Sequence, residues 1–149
     1  VAPESILDKI RIVKSGGGVN QFAAIAIHRY ANSKLNEDII IRNNILKSKR
    51  DAMLKAINQY FEFDDSAKWS IPGGGLYIWL ELNSRYDLVK LLPIAQQHSI
   101  SYQPGTMFDP DSTNGKNCAR LCFGYNEPKQ IDQGIQLLSE LIIKNYHPQ

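Results

Sequence analysis

Between Leu76 and Leu82 the chain changes its period. Leu76, Ile78, Leu80 and Leu82 are all aliphatic, with Tyr77, Trp79 and Glu81 standing between them. Strict alternation of this kind predicts a strand with one face on a core. What comes before it is helical in pattern. The spacing of Ile6, Leu7, Ile10 and Val13 predicts a one-sided helix opened by Pro3 and Glu4. Ser15-Gly16-Gly17-Gly18 stops it. Asn20 is placed to cap a second helix, Gln21 to about Tyr30, which is apolar almost all round and therefore expects burial. A longer helix from near Asn36 to Tyr60 puts Ile45, Leu46, Met53, Leu54, Ile57 and Phe61 on one stripe. Lys47, Lys49, Arg50 and Lys55 read as its solvated side and need no ligand.

Beyond the strand, Asp87 to about His98 reads as a helix, with Pro93 in its first turns or at a kink. Ile100-Ser101-Tyr102 is a short strand ended by Pro104-Gly105, and Asp109 to Asn117 has the composition of a loop. Cys118 to Phe123 is a third strand. Glu127 to Lys144 closes the chain as an amphipathic helix through Ile131, Ile135, Leu138 and Ile142. The expected fold class is α/β in the α+β sense: helices first, then a short few-stranded sheet covered by helices on one face. The boundary falls inside the long helix or just before Trp69, without a flexible linker.

Composition narrows the function classes. A chain of 149 residues with 43% hydrophobic and 21% charged residues suits one ordinary globular domain. A net charge of +2 supplies no basic stripe for nucleic acid. No apolar run reaches membrane-span length and no export signal is visible, so a soluble, cytoplasmic protein is expected. Cys118 and Cys122 have neither redox nor zinc spacing and read as reduced strand cysteines. His28, His98 and His147 are far apart and imply no metal. Val1 is not an initiator methionine, and Val1-Ala2-Pro3-Glu4 reads like a strand entering a helix. The chain is expected to be a piece of a longer one.

Two places could carry chemistry. Alternation in the third strand puts Ala119, Leu121 and Phe123 on one side, with Cys118, Arg120 and Cys122 on the other. Arg120 is then a guanidinium in mid-strand. It is an edge residue in water, a member of an internal ion pair, or an anchor for a ligand carboxylate, which its planar fork suits. Pro72-Gly73-Gly74-Gly75 is either a plain turn or a site of close approach to the backbone.

Four stretches, in order, resemble the C-terminal region of class I/II aminotransferases, the fold-type-I pyridoxal-phosphate enzymes. They are Ser15-Gly-Gly-Gly-Val-Asn-Gln-Phe22, Pro72-Gly-Gly-Gly-Leu-Tyr-Ile-Trp-Leu80, Tyr102-Gln-Pro-Gly-Thr-Met-Phe108 and Ala119-Arg-Leu-Cys-Phe123, the last followed by Ile131 to Leu138. The triple-glycine loop leans toward 2-aminoadipate-type aminotransferases and the aminotransferase-like domains of GntR/MocR regulators. The resemblance implies that residues 1–35 are a helical remnant of the large cofactor domain and 36–149 the small domain. It implies that Arg120 binds the α-carboxylate of an amino acid. Asn20 would lie near the active site across a dimer interface, and Gly74, Gly75 and Tyr77 near the substrate entrance.

The resemblance further implies a homodimer, pyridoxal phosphate bound mainly by a missing upstream part, and amino-acid and 2-oxo-acid substrates. The family lysine that forms the Schiff base would lie upstream of Val1. None of the lysines here stands in that context; all fall on predicted helix faces or loops. No catalytic residue is thus expected in this chain, which should be inactive alone. The rival reading is the effector-binding half of a GntR/MocR-type regulator, with DNA bound by a separate N-terminal module. A stand-alone binding module would require a natural start near Val1.

Overall fold

A computed structural model describes residues 2–14, 16 and 18–146. The readings of Val1 as a strand end, of Ser15 and Gly17 in the loop that stops the first helix, and of His147 fall outside the described residues. The chain divides into two compact units, Val1–Ile41 and Arg42–Gln149.

The first unit contains α1, Glu4–Val13, and the start of α2, Gln21–Tyr60. Pro3 opens α1: the amides of Ile6 and Leu7 donate to its carbonyl at 2.9 and 3.1 Å. Nothing in α1 is buried. Asn20 caps α2, its Oδ1 accepting from the Ala23 amide at 3.0 Å. Among the described residues the all-round apolar segment is exposed, through Phe22, Ile25 and Ile27; within the first unit, two helices alone bury little of such a surface.

The two helices expected over 21–30 and 36–60 are one. No glycine or proline interrupts Gln21–Tyr60, and Asn32, Ser33 and Asn36 bend to helical use. Asn32 and His28 meet at 3.1 Å, and Ser33 Oγ donates back to the Tyr30 carbonyl at 3.2 Å.

The second unit holds a four-stranded antiparallel sheet in the order β1-β2-β4-β3. β1 is Lys68–Trp69, β2 Tyr77–Glu81, β3 Gln103–Pro104 and β4 Cys118–Cys122. The helices are the rest of α2, α3 (Leu88–Gln97) and α4 (Pro128–Tyr146). One sheet face, through Ile78, Leu80, Ala119 and Leu121, joins Met53, Ile57, Phe61, Leu91, Ile135, Leu138 and Ile142 in a single core. Burying each large aliphatic side chain of this kind contributes about 1.5–3 kcal/mol. The α+β class, with helices on one face, is what the structure shows.

Several expectations need correction. Leu76 precedes β2 and is exposed rather than core-facing, its carbonyl accepting from the Phe123 amide at 3.0 Å. The strand expected at 100–102 is displaced to Gln103–Pro104, since Tyr102 turns inward and donates its hydroxyl to the Leu88 carbonyl at 2.7 Å. Lys68, read as a loop lysine, pairs with Glu81 in β1; a two-residue strand has no period to detect. Pro93 sits in the middle of α3. On the long helix, Ile45 is exposed, and Lys49, read as solvated, is buried. Its Nζ donates to Glu127 Oε1 at 2.9 Å and to the Tyr125 carbonyl at 3.2 Å. Arg50 is half-buried and donates to the Pro72 carbonyl at 3.1 Å.

Candidate functional site

The sheet face away from the core is open, and its polar centre is one cross-strand row. Register places Trp79 of β2 and Gln103 of β3 directly opposite Arg120 of β4. Side chains opposite one another in an antiparallel pair share a face, so the row reads indole, guanidinium, amide. Tyr77, one position along the same face of β2, lies opposite Cys122.

Two rings flank the guanidinium. Arg120 Cζ lies 4.0 Å from the Tyr77 ring centroid and 4.8 Å from that of Phe108. Trp79 meets Phe108 edge-on at 5.6 Å. Phe108 is delivered by the 3-10 turn Gly105–Phe108, and that turn depends on a missing side chain. A Cβ on Gly105 would lie 2.5 Å from the Gly115 carbonyl oxygen and 2.6 Å from Cys118 Cβ. Gly115 itself has φ +80°, so each glycine makes room for the other.

Arg120 Nη2 donates to Gln103 Oε1. Its Nε is buried and has no hydrogen-bond partner among the described residues. The ion pairs among those residues do not include it. The guanidinium charge is thus not neutralised by a carboxylate among the described residues, and an anionic acceptor could meet it at the terminal nitrogens rather than at the enclosed Nε. A carboxylate is the planar match.

The other singled-out residues are dispersed. Tyr77 stacks on Arg120 as described. Gly74 and Gly75 instead line a separate cleft of ≈ 340 Å³ with Lys47, Arg50 and Phe123. Gly75 has φ +83°, a left-handed turn that side chains resist. Asn20 is committed to capping α2, in the first unit. Of the thiols, both free, Cys122 is exposed and Cys118 buried; burial and then the Glu81 charge push the Cys118 thiol up. No group of three metal-ligating side chains occurs among the described residues, and no described helix is long and apolar enough to cross a membrane. Gln103, Trp79 and Phe108 were not singled out from sequence. The parity of β2 could have found Trp79, but only the register reveals Gln103.

No family model matches the chain. It is 31% identical over 144 residues to aromatic-amino-acid aminotransferase 1 of Thermococcus litoralis, covering 95% of this chain and 34% of that protein. An uncharacterized aminotransferase of Saccharolobus solfataricus is 37% identical over 109 residues, 69% of this chain and 26% of the relative. Among solved structures, Pyrococcus horikoshii kynurenine aminotransferase superposes with a TM-score of 0.70 at 34% identity, over 78% of this chain and 28% of that one. The chain belongs to the fold-type-I aminotransferase family. The α-aminoadipate aminotransferase LysN of Thermus thermophilus shares the fold over 97% of this chain and 37% of its own, with a TM-score of 0.79 at 21% identity. An uncharacterized helix-turn-helix transcriptional regulator of Bacillus subtilis is 24% identical over 143 residues, 93% of this chain and 28% of the regulator. This aminotransferase segment thus spans about a quarter to a third of the relatives it matches.

Proposed function

We propose that this segment forms the substrate-carboxylate side of the active site in a pyridoxal-phosphate aminotransferase that exchanges an amino group between an amino acid and a 2-oxo acid. The carrying observation is Arg120: a guanidinium held by two rings and an amide, uncompensated by any carboxylate among the described residues. Pyridoxal phosphate, when bound, supplies the carbonyl that carries the amino group and the ring that draws off electrons. Arg120 takes the carboxylate at two points and so fixes the rotation of the substrate about its Cα. Tyr77 and Phe108 flank that contact with their rings.

The described residues do not fit the cofactor's own attachment. Lys49, the buried lysine among them, is occupied by Glu127 and the Tyr125 carbonyl, and the others are exposed. The attaching lysine in this reading lies outside the segment, which is inactive alone. Residues 1–35 belong with the cofactor domain and 36–149 form the small domain of a cytoplasmic homodimer. The exposed Phe22, Ile25 and Ile27 support the first assignment.

The similarity to the Bacillus regulator supports a second reading: an effector-binding half in which the same Arg120 senses an amino acid. The sequence upstream of Val1 decides between them, since a winged-helix module there would favour the regulator.

The test uses the complete protein with its cofactor. Losing a desolvated two-point charge contact reduces kcat/KM about 30- to 1000-fold. Arg120→Ala should impose that loss on an amino acid and leave the matching amine, which lacks the carboxylate, nearly untouched. Arg120→Lys should recover little, because an ammonium cannot reproduce the fork. Equal losses on both substrates would make Arg120 a structural residue.

A further inference from the structure

Two aromatic faces can set the plane of a guanidinium but not its rotation within that plane. Tyr77 and Phe108 approach Arg120 Cζ with their rings, and stacking of this kind is indifferent to where each N–H points. The in-plane direction is set by a different group. Among the described residues the Arg120 side chain donates one hydrogen bond, from Nη2 to Gln103 Oε1. Gln103 is directly opposite Arg120 on β3 and shares its face.

The chemistry of that acceptor matters as much as its place. An amide oxygen accepts without neutralising. An aspartate or glutamate at the same position would close a salt bridge on the open face, and an incoming carboxylate would have to displace it. A leucine would leave the long arginine side chain free to turn, and ordering it would fall to the ligand. We propose that Gln103 is the positioning residue of Arg120: a neutral acceptor that aims the guanidinium while keeping its charge available, and so sets how tightly the site takes a carboxylate. This rests on the carboxylate reading of Arg120 given above.

The experiment measures binding of 3-phenylpropionate and of its neutral amide, 3-phenylpropionamide, to the complete cofactor-loaded protein and three variants. Arg120→Ala tests the underlying reading, Gln103→Leu removes the acceptor, and Gln103→Glu makes it anionic at nearly unchanged size. Arg120→Ala should lower affinity for the carboxylate about 30-fold or more. Gln103→Leu should lower it about 3- to 10-fold, one orienting hydrogen bond to a charged group being lost. Gln103→Glu should be at least as damaging as Arg120→Ala, since the charge is then satisfied internally. The amide should bind all four proteins alike, which a general loss of structure would not allow. Carboxylate affinity in Gln103→Glu equal to or better than in Gln103→Leu overturns the role of Gln103, as does wild-type affinity in both. Unchanged affinity in Arg120→Ala overturns the carboxylate reading itself, whatever Gln103 does.

Discussion

The two faces of one small sheet are made by the same strands and have opposite fates. On β4, Ala119 and Leu121 are buried in the core while Arg120, between them, stands on the open face. On β2, Ile78 and Leu80 are fully buried while Tyr77 and Trp79 face outward to Arg120. Helices α2 and α4 pack their apolar stripes on the first face only. On the covered face a side chain contributes volume. On the open face it contributes a direction, and the Arg120 row has directions in excess of partners.

Substitutions on neighbouring rungs should separate the faces sharply. Ile78→Ala, in a site with no exposure, should destabilise the fold by about 2–5 kcal/mol, the usual range for emptying an aliphatic core position. Arg120→Ala, on the neighbouring strand and one rung away, should change stability by less than about 1 kcal/mol while removing carboxylate recognition. Urea unfolding of both variants measures the contrast. If Arg120→Ala unfolds as readily as Ile78→Ala, the open face is structural and the comparison fails.

The glycines under Phe108 link the faces. Gly105→Ala should cost about 1–3 kcal/mol, the range for overpacking, because its new Cβ would press on the Gly115 backbone and Cys118. It should also weaken carboxylate binding, since the turn carrying Phe108 must shift. A thermal melt with a parallel binding isotherm reads both effects. Gly134→Ala in α4, whose Cβ would meet nothing within 4 Å, is the control and should do neither.

What could be read from sequence follows the same division. The covered face was legible because hydrophobic alternation reports burial directly: Ala119, Leu121 and Phe123 were assigned inward and are buried, as are Ile131, Ile135, Leu138 and Ile142 of α4. Arg120 was legible as the exception on its strand. Gln103 was not, because its place beside Arg120 arises from register with a strand many residues away, and two-residue strands such as β1 and β3 carry no period. Lys49 was misread for a related reason. A lysine on a helix is solvated by default, and only the approach of Glu127 and the Tyr125 carbonyl makes burial tolerable.

A smaller effect tests the buried hydroxyl behind the site. Tyr102 is buried with its hydroxyl on the Leu88 carbonyl at 2.7 Å, and burial, with lesser contributions from Tyr146 and Asp87, pushes its ionisation upward. Tyr102→Phe should cost about 1 kcal/mol, the hydrogen bond from its buried hydroxyl being lost. It should leave carboxylate binding unchanged, since Tyr102 belongs to the covered side. A loss of binding without loss of stability would blur the two-face distinction.

The smallest expected effect is a pH dependence at the junction before β1. Asp64 is buried, which alone would raise its carboxyl. The hydrogen bonds it accepts outweigh burial, from the Asn83 amide at 2.7 Å and from the Ser66 amide and hydroxyl at 3.1 and 2.7 Å. The net shift is downward, with Arg85 adding a weaker pull. An aspartate held below its unfolded value, about 3.9, contributes stability that is fully present above that value. The contribution disappears as pH falls through the lower, folded value. Asp109, also lowered by the Asn114 and Thr113 amides, titrates in the same direction and would confuse a wild-type curve taken alone. The difference between wild type and Asp64→Asn cancels it. That difference in melting temperature should be constant above about pH 5, where both states of Asp64 are ionised, and should shrink below about pH 4. A difference that persists unchanged into strong acid would show that Asp64 acts through shape rather than charge.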